Sequence, residues 1–164
     1  MLIFAHLGLT LASASLFSRM NPVMTLVALG ALLPDIIDKP LGYILFGSAS
    51  MGRIYAHTLL FLLVIMALVA YRRNMASLAG GVFAHLCLDQ MWSSPVILLW
   101  PLLGGFSLHA NLGIIGYLES LFAALMNPAV LIPELLGFLY VLYLAFKAAP
   151  LIISGSEMLI DQSL

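Results

Sequence analysis

The chain has 164 residues, of which 63% are hydrophobic and 8% are charged, with a net charge of −1 and a mean hydropathy of +1.14. Soluble domains contain about 45–50% apolar residues, so this composition excludes an ordinary soluble protein and indicates an integral membrane protein. The lack of a basic surplus argues against nucleic-acid binding. By its length, the chain is a single membrane domain covering residues 1–164.

Several apolar stretches are long enough to cross a hydrocarbon core of ~30 Å, which takes about 20 helical residues. We therefore predict an all-α, polytopic membrane helical bundle with four to five transmembrane helices. Pro34 interrupts the second stretch and predicts a bend or an end of the helix there, because proline lacks a backbone N–H. The predicted spans lie near residues 2–18, 22–45, 54–71, 75–92 and 128–149.

The segment between residues 93 and 127 is less regular than the predicted spans. Its prolines, Pro95 and Pro101, favour a short re-entrant or interfacial piece. Residues 111–126 are predicted to form an amphipathic helix. We expect three ionisable residues in or beside this segment to be solvated or interfacial: His109, Glu119 and Glu134.

The basic residues give the chain an orientation. If the N-terminus is outside and the spans alternate, most of them fall on the cytoplasmic side of a cell (inner or plasma) membrane, as the positive-inside rule requires. These residues are Arg19, Arg72, Arg73 and Lys147.

The same alternation takes polar residues from four separate segments to one membrane depth near the extracytoplasmic face. An ionisable group inside a membrane costs roughly 2.5–3.5 kcal/mol on insertion scales, so such groups indicate a functional site. The residues are His6, Asp35, Asp38, Arg53, His57, His85 and Asp89.

The residue types in this set suit a metal centre. His85 and Asp89 are four residues apart, which places both on one face of a helix. Three His and three Asp form a nitrogen and oxygen ligand set without sulfur, suited to zinc first, then manganese, iron or magnesium, as one or two divalent ions. A hydrolytic centre is the natural use of such a set.

Arg53 has a different predicted role, because a guanidinium stays protonated and does not ligate metals. Its planar fork suits a phosphate or carboxylate of the substrate, so we assign it to the charge of the transition state. Any of the carboxylates can act as general base, and Asp38 is grouped with Arg53 as a catalytic candidate. Simpler interpretations stay open: His6 or His57 as snorkelling residues, Asp35 as a cap, and a hydrogen bond between His85 and Asp89.

The order of these motifs resembles the YdjM-like family of membrane-bound metal-dependent hydrolases. The resemblance covers roughly residues 1–105. It is carried by Ala5-His6, then GALLPDIID at residues 30–38, GRIYAHTLL at 52–60, HLCLD at 85–89 and LLWP at 98–101.

The resemblance implies a multi-helix bundle with a metal site, and by looser similarity to zinc-dependent phospholipase C-like enzymes it suggests phosphoester substrates. It implies Arg53 as a further site residue. Two positions depart from the family pattern: the second acidic residue is displaced by one to Asp38 without a following His, and Gly52 replaces a His. The metal-site positions that it implies are His6, Asp35, His57, His85 and Asp89.

The predicted function is a membrane-embedded metal-dependent hydrolase of an ester or phosphoester bond in a lipid or lipid-linked substrate. The depth of the polar residues carries the lipid inference, because a head group already lies at that level. One alternative is an ion or proton transporter with an intramembrane His/Asp relay. Another is a non-catalytic membrane scaffold, in which the polar residues only hold helices together.

Overall fold

A computed structural model describes residues 2–17, 20–47, 52–106 and 113–161; Arg19 and His109 lie outside these ranges. All regular elements in the described ranges are helices, which confirms the all-α prediction. The elements are a π-helical turn (Ala5–Leu9) that continues into α1 (Thr10–Leu16), α2 (Met24–Phe46), α3 (Leu59–Val69), α4 (Met75–Leu88), a 3-10 turn (Met91–Ser93), α5 (Pro95–Leu98), α6 (Ile114–Leu125) and α7 (Pro128–Asp161).

One helix in the described part is both long and apolar enough to cross a membrane. It covers Pro128–Ala148, with 21 residues and a hydropathy of 2.0, and coincides with the predicted span 128–149. Helices α3 and α4 are apolar but have only 11 and 14 residues, fewer than the ~20 that a perpendicular crossing takes. Helix α2 has 23 residues and carries three charged side chains. The multi-pass architecture therefore stays a prediction.

The sequence predicted a bend or an end of helix α2 at Pro34, but the helix does not end there. It continues through Pro34 and Pro40 to Phe46 and terminates at Gly47, whose positive φ of 63° and N–H bond to the Tyr43 carbonyl close the last turn. Pro34 is fully buried, so packing against neighbouring elements compensates for the lost backbone hydrogen bond.

Helices α2 and α4 touch backbone to backbone where two glycines meet. A Cβ added at Gly30 would collide with the Leu78 carbonyl, and one added at Gly81 would collide with the Val27 carbonyl. Small residues allow this close approach, which is the common way for apolar helices to pack without a solvent-driven core. The contact fixes α4 at the distance from α2 that the site described below requires.

Helix α7 holds the first helix in a similar way, through Gly8 and Gly137, each of which leaves no room for a Cβ. Glu134 of α7 accepts hydrogen bonds from the backbone N–H groups of Phe4 (3.1 Å) and Ala5 (3.2 Å). Its side chain is only 7% exposed. The expectation of a solvated or interfacial Glu134 is therefore wrong, because this carboxylate caps the beginning of the first helix.

The segment after α4 folds back over the loop that precedes α3. Tyr55 of that loop makes edge-to-face contacts with Trp100 and Phe106, both at 5.1 Å between ring centroids. Helix α6 lies within the predicted amphipathic stretch 111–126, and its Glu119 is exposed. An interfacial position of Glu119 is consistent with that exposure, whereas Glu134 differs because α7 carries it into a helix contact.

Candidate metal centre

The structure brings the predicted polar residues together at one end of the helices. They come from four places in the chain: the π-helical turn, α2, the loop before α3, and the C-terminal end of α4. Most of them are buried, although Arg53 keeps a side chain that is 44% exposed. The residues are His6, Asp35, Asp38, Arg53, His57, His85 and Asp89.

Asp38 fixes the first imidazole. Its carboxylate is fully buried and accepts hydrogen bonds from the backbone N–H groups of Ile54 (2.8 Å), Ala56 (2.9 Å) and His57 (3.1 Å). His57 also donates its Nδ1–H to Asp38 Oδ2 at 2.7 Å. The neutral His57 ring therefore carries its lone pair on Nε2, and this atom faces away from Asp38.

A backbone carbonyl fixes the second imidazole. His85 Nδ1 lies 2.7 Å from the carbonyl oxygen of Ala31, and because a carbonyl can only accept, Nδ1–H donates. His85 Nε2 then faces His57 Nε2 at 3.1 Å. In the neutral rings two lone pairs would meet at this distance, so the arrangement requires a proton or a cation between them.

The third imidazole repeats the pattern. His6 donates Nδ1–H to the Leu2 carbonyl at 2.7 Å, and its Nε2 lies 3.0 Å from Asp89 Oδ1. The His6 ring stacks on His85 with 4.2 Å between centroids. Arg53 Nε lies 2.9 Å from the other Asp89 oxygen. All three rings thus use Nδ1 as a donor to a fixed oxygen and turn Nε2 toward the same interior space.

Two overlapping sets of side chains can hold a metal ion. His6, His85 and Asp89 form one set, and Asp35, His57 and His85 form the other; in each, the potential ligand atoms lie within 4.8 Å of one another. His85 belongs to both sets but has one nitrogen to offer, since Ala31 occupies Nδ1. His85 can therefore serve one ion only, whichever set that ion uses.

The donor chemistry fits a divalent ion. Ligating histidines in proteins usually donate their other ring N–H to a carboxylate or a backbone carbonyl, which fixes the tautomer and the ring orientation. All three rings meet this condition, with Asp38, Ala31 and Leu2 as acceptors. Imidazole with carboxylate and no thiolate suits zinc, iron or manganese. The metal's identity stays a prediction.

One predicted role changes with the geometry. The catalytic role predicted for Asp38 does not fit a carboxylate that is fully buried behind His57 and accepts three backbone N–H groups; it is a positioning residue. Asp35 lies 3.7 Å from His57 Nε2 and also pairs with Lys39 at 2.7 Å. The carbonyls of Ala31 and Leu2 were not predicted, because a sequence carries no signal for which backbone oxygen a distant side chain reaches.

Comparison with known proteins places the chain. No curated protein and no solved structure matches it. The family model for the YdjM inner membrane protein matches residues 1–154, which is nearly the whole chain. This match agrees with the family resemblance of the motifs that supply the buried His and Asp residues. The chain is therefore a member of the YdjM inner membrane protein family.

Proposed function

We propose that this chain is a multi-pass inner-membrane enzyme that uses one or two divalent ions to hydrolyse an ester or phosphoester bond of a lipid or lipid-linked substrate. The observation that carries the proposal is the convergence of three Nε2 atoms, each with its Nδ1–H already bonded to a fixed oxygen. Two carboxylates, Asp35 and Asp89, complete the donor set.

Holding these side chains in place costs free energy, and a function is the reason for a protein to bear that cost. Each buried imidazole loses water, and the close approach of His57 and His85 adds repulsion between the neutral rings. A structural scaffold would reach the same helix packing through the glycine contacts of α2, α4 and α7 alone. A divalent ion bound here would supply Lewis acidity and a water nucleophile at neutral pH.

The residues in and around the donor set have different roles in the proposed reaction. Asp38 holds His57 in one orientation and ties it to the loop before α3. Arg53 borders the centre through Asp89, and its partial exposure lets the guanidinium reach a substrate phosphate at the mouth of the site. Asp35 is the more accessible carboxylate, with a 14% exposed side chain, and is the better candidate to exchange a proton with a substrate or water.

Helix ends support a membrane-surface position for the centre. His57 precedes α3 and Asp89 follows α4, so both lie at the same end of this helix pair, whereas Arg72 and Arg73 occupy the connection at the other end. With the basic connection in the cytoplasm, the centre faces the extracytoplasmic head groups. A lipid substrate can then arrive laterally within the membrane.

Metal content and turnover test this proposal together. We expect detergent-purified protein, loaded with zinc and desalted, to retain one or two equivalents and to hydrolyse phospholipids or water-soluble phosphoesters. His85→Gln removes the shared nitrogen but keeps an amide donor for the Ala31 carbonyl, and it should lose both properties. Glu119→Gln changes an exposed carboxylate on α6 and serves as the matched control.

The outcomes separate the rival functions. Retained metal and turnover in a folded His85→Gln variant, with the fold checked by circular dichroism, would refute the proposed centre. Wild-type protein that binds no zinc, manganese or iron would also refute it and favour the scaffold. Proton or ion flux in proteoliposomes without turnover would favour the transporter.

A further inference from the structure

A long apolar groove runs beside the candidate metal centre. It has a volume of about 480 Å³ and lies between α1 and α4, within the range of about 300–1,000 Å³ that is usual for ligand pockets. None of the described residues that line it is charged. Its open side leaves Phe17 and Phe83 exposed. An open apolar groove on a membrane protein faces hydrocarbon.

One end of the groove is formed by residues that are close in sequence to the candidate metal centre. Thr10, which lines it, is four residues after His6 in the same helix, and Leu88 lines it directly before Asp89. Ala84, beside His85, lies between them on the wall that α4 provides. This end of the groove is therefore formed by residues one to four positions from His6, His85 and Asp89 in the sequence.

The length of the groove is sufficient for one acyl chain. Its wall on α4 extends from Ala76 to Leu88, about 18 Å along the helix axis at 1.5 Å per residue. One acyl chain covers about 15 Å, which is half of a ~30 Å hydrocarbon core. The groove is therefore long enough for one hydrocarbon chain whose head lies beside the centre.

Small residues make the floor of the groove. Ala76, Gly80 and Ala84 are spaced four apart and share one face of α4. A Cβ added at Gly80 would meet no atom within 4 Å. The space suits a flexible hydrocarbon chain better than a partner helix, because a helix about 10 Å wide fills roughly 1,400 Å³ over this length.

We infer that this groove binds one hydrocarbon chain of a phospholipid whose phosphoester head lies at the candidate metal centre. The inference rests on the proposed function and deepens it, since it names a membrane phospholipid as the substrate class. The apolar lining recognises the chain, and the imidazole and carboxylate side chains of the candidate metal centre recognise the phosphate through bound metal and Arg53.

Photocrosslinking tests the binding step without any need for turnover. The probe is phosphatidylglycerol with a diazirine at the end of one acyl chain, incorporated into phosphatidylglycerol nanodiscs with the purified protein. We expect peptide mass spectrometry to find the label near the far end of the groove, around Phe17 and Ala76. Labelling confined to other helices would overturn the inference, and crosslinks between two protein copies at the groove would assign it to a second copy instead.

Groove-filling variants provide the matched comparison. Gly80→Phe places a ring in the middle of the groove, and Ala76→Phe places one at its far end. Ala67→Phe adds the same ring to an exposed position of α3 outside the groove. We expect both groove variants to lose labelling by about tenfold, since excluding two methylene groups at ~0.8 kcal/mol each has that effect. The Ala67 control should label like wild type.

Turnover of long-chain and short-chain lipids separates this inference from the proposed function. Gly80→Phe should lower hydrolysis of dipalmitoyl relative to dihexanoyl phosphatidylglycerol by about tenfold. Wild-type labelling in the groove without turnover of either lipid would retain the lipid site and refute the hydrolase. Turnover of both lipids that Gly80→Phe and Ala76→Phe leave unchanged would retain the hydrolase and refute the groove.

Discussion

Gly80 and Gly81 are neighbours on α4, yet they belong to two regions with opposite character. Gly81 is buried against α2, where the Val27 carbonyl leaves no room for a Cβ, whereas Gly80 opens onto the apolar groove and meets no atom within 4 Å. The closed region, formed by the α2–α4 contact and the centre beside it, sets distances between fixed groups. The open region provides space. Glycine therefore allows tight helix packing on one face of α4 and leaves open space on another.

The largest effect on stability should come from substitution of Gly81, the glycine in the closed region. We expect Gly81→Ala to lower the free energy of unfolding by about 3 kcal/mol or more, because neither backbone can move away from the added methyl group. Gly80→Ala should leave stability unchanged or raise it by up to about 1 kcal/mol through helix propensity. Thermal unfolding of both variants in detergent, followed by circular dichroism, measures the difference. Equal stabilities would contradict the tight α2–α4 contact.

A smaller effect is expected from Asp38, which belongs to the closed region but is not predicted to touch the metal. Asp38→Asn leaves His57 without its charged acceptor and should weaken zinc binding about 10- to 100-fold. Competition with a chromophoric chelator gives the affinity, with Glu119→Gln as control. An unchanged affinity in the folded variant would show that His57 does not depend on Asp38 for its orientation, or does not bind the metal.

Glu134 and Glu119 extend the comparison to α7 and α6. Glu134→Gln removes the charge and turns an amide N–H toward a backbone donor, so we expect a loss of about 1–2 kcal/mol of stability. Glu119→Gln, at an exposed position, should stay within about 0.5 kcal/mol of wild type. Unfolding in graded denaturant measures both. Similar values for the two variants would argue against the cap that Glu134 places on the first helix.

The smallest effect should come from Lys39, whose ion pair with Asp35 lies in a partly exposed position. Lys39→Ala should cost less than about 1 kcal/mol, as exposed pairs usually do. The same unfolding measurement serves here. A loss of several kcal/mol would show that Asp35 and Lys39 belong to the closed region, and it would contradict the interpretation of Asp35 as the accessible carboxylate.

The sequence predicts well what depends on local pattern. Apolar stretches located the helices, and the spacing of His85 and Asp89 placed both on one side of the end of α4. Helix ends were harder to predict: residues 54–58 fall inside a predicted span, but the N–H groups of Ile54, Ala56 and His57 bond Asp38, and α3 begins only at Leu59. That preference for a side-chain acceptor over a helical turn depends on a residue sixteen or more positions away.

Other features of the site depend on tertiary approach and leave no local signal. Glu134 interrupts an apolar helix, and that alone marks it as unusual, but only the packing of α7 on the first helix shows that it meets the N–H groups of Phe4 and Ala5. Pro34 predicts a disrupted helix, because the sequence does not reveal the burial that compensates for it. Backbone acceptors, such as the Ala31 carbonyl, are present in every residue, so the residue type does not indicate which of them is used.

The π-helical turn at Ala5–Leu9 sets how the residue at the candidate metal centre is oriented around the helix axis relative to the residues that line the groove. A turn of this kind holds one residue more than an α-turn, which shifts everything after it by about 100° around the helix axis. His6 lies within this turn and points to the candidate metal centre, whereas Ser13 and Ala14 follow the turn and line the groove. Deleting Leu7 would restore a uniform helical phase, so that the part of this helix at the candidate metal centre and the part at the groove would no longer have their present relative orientation.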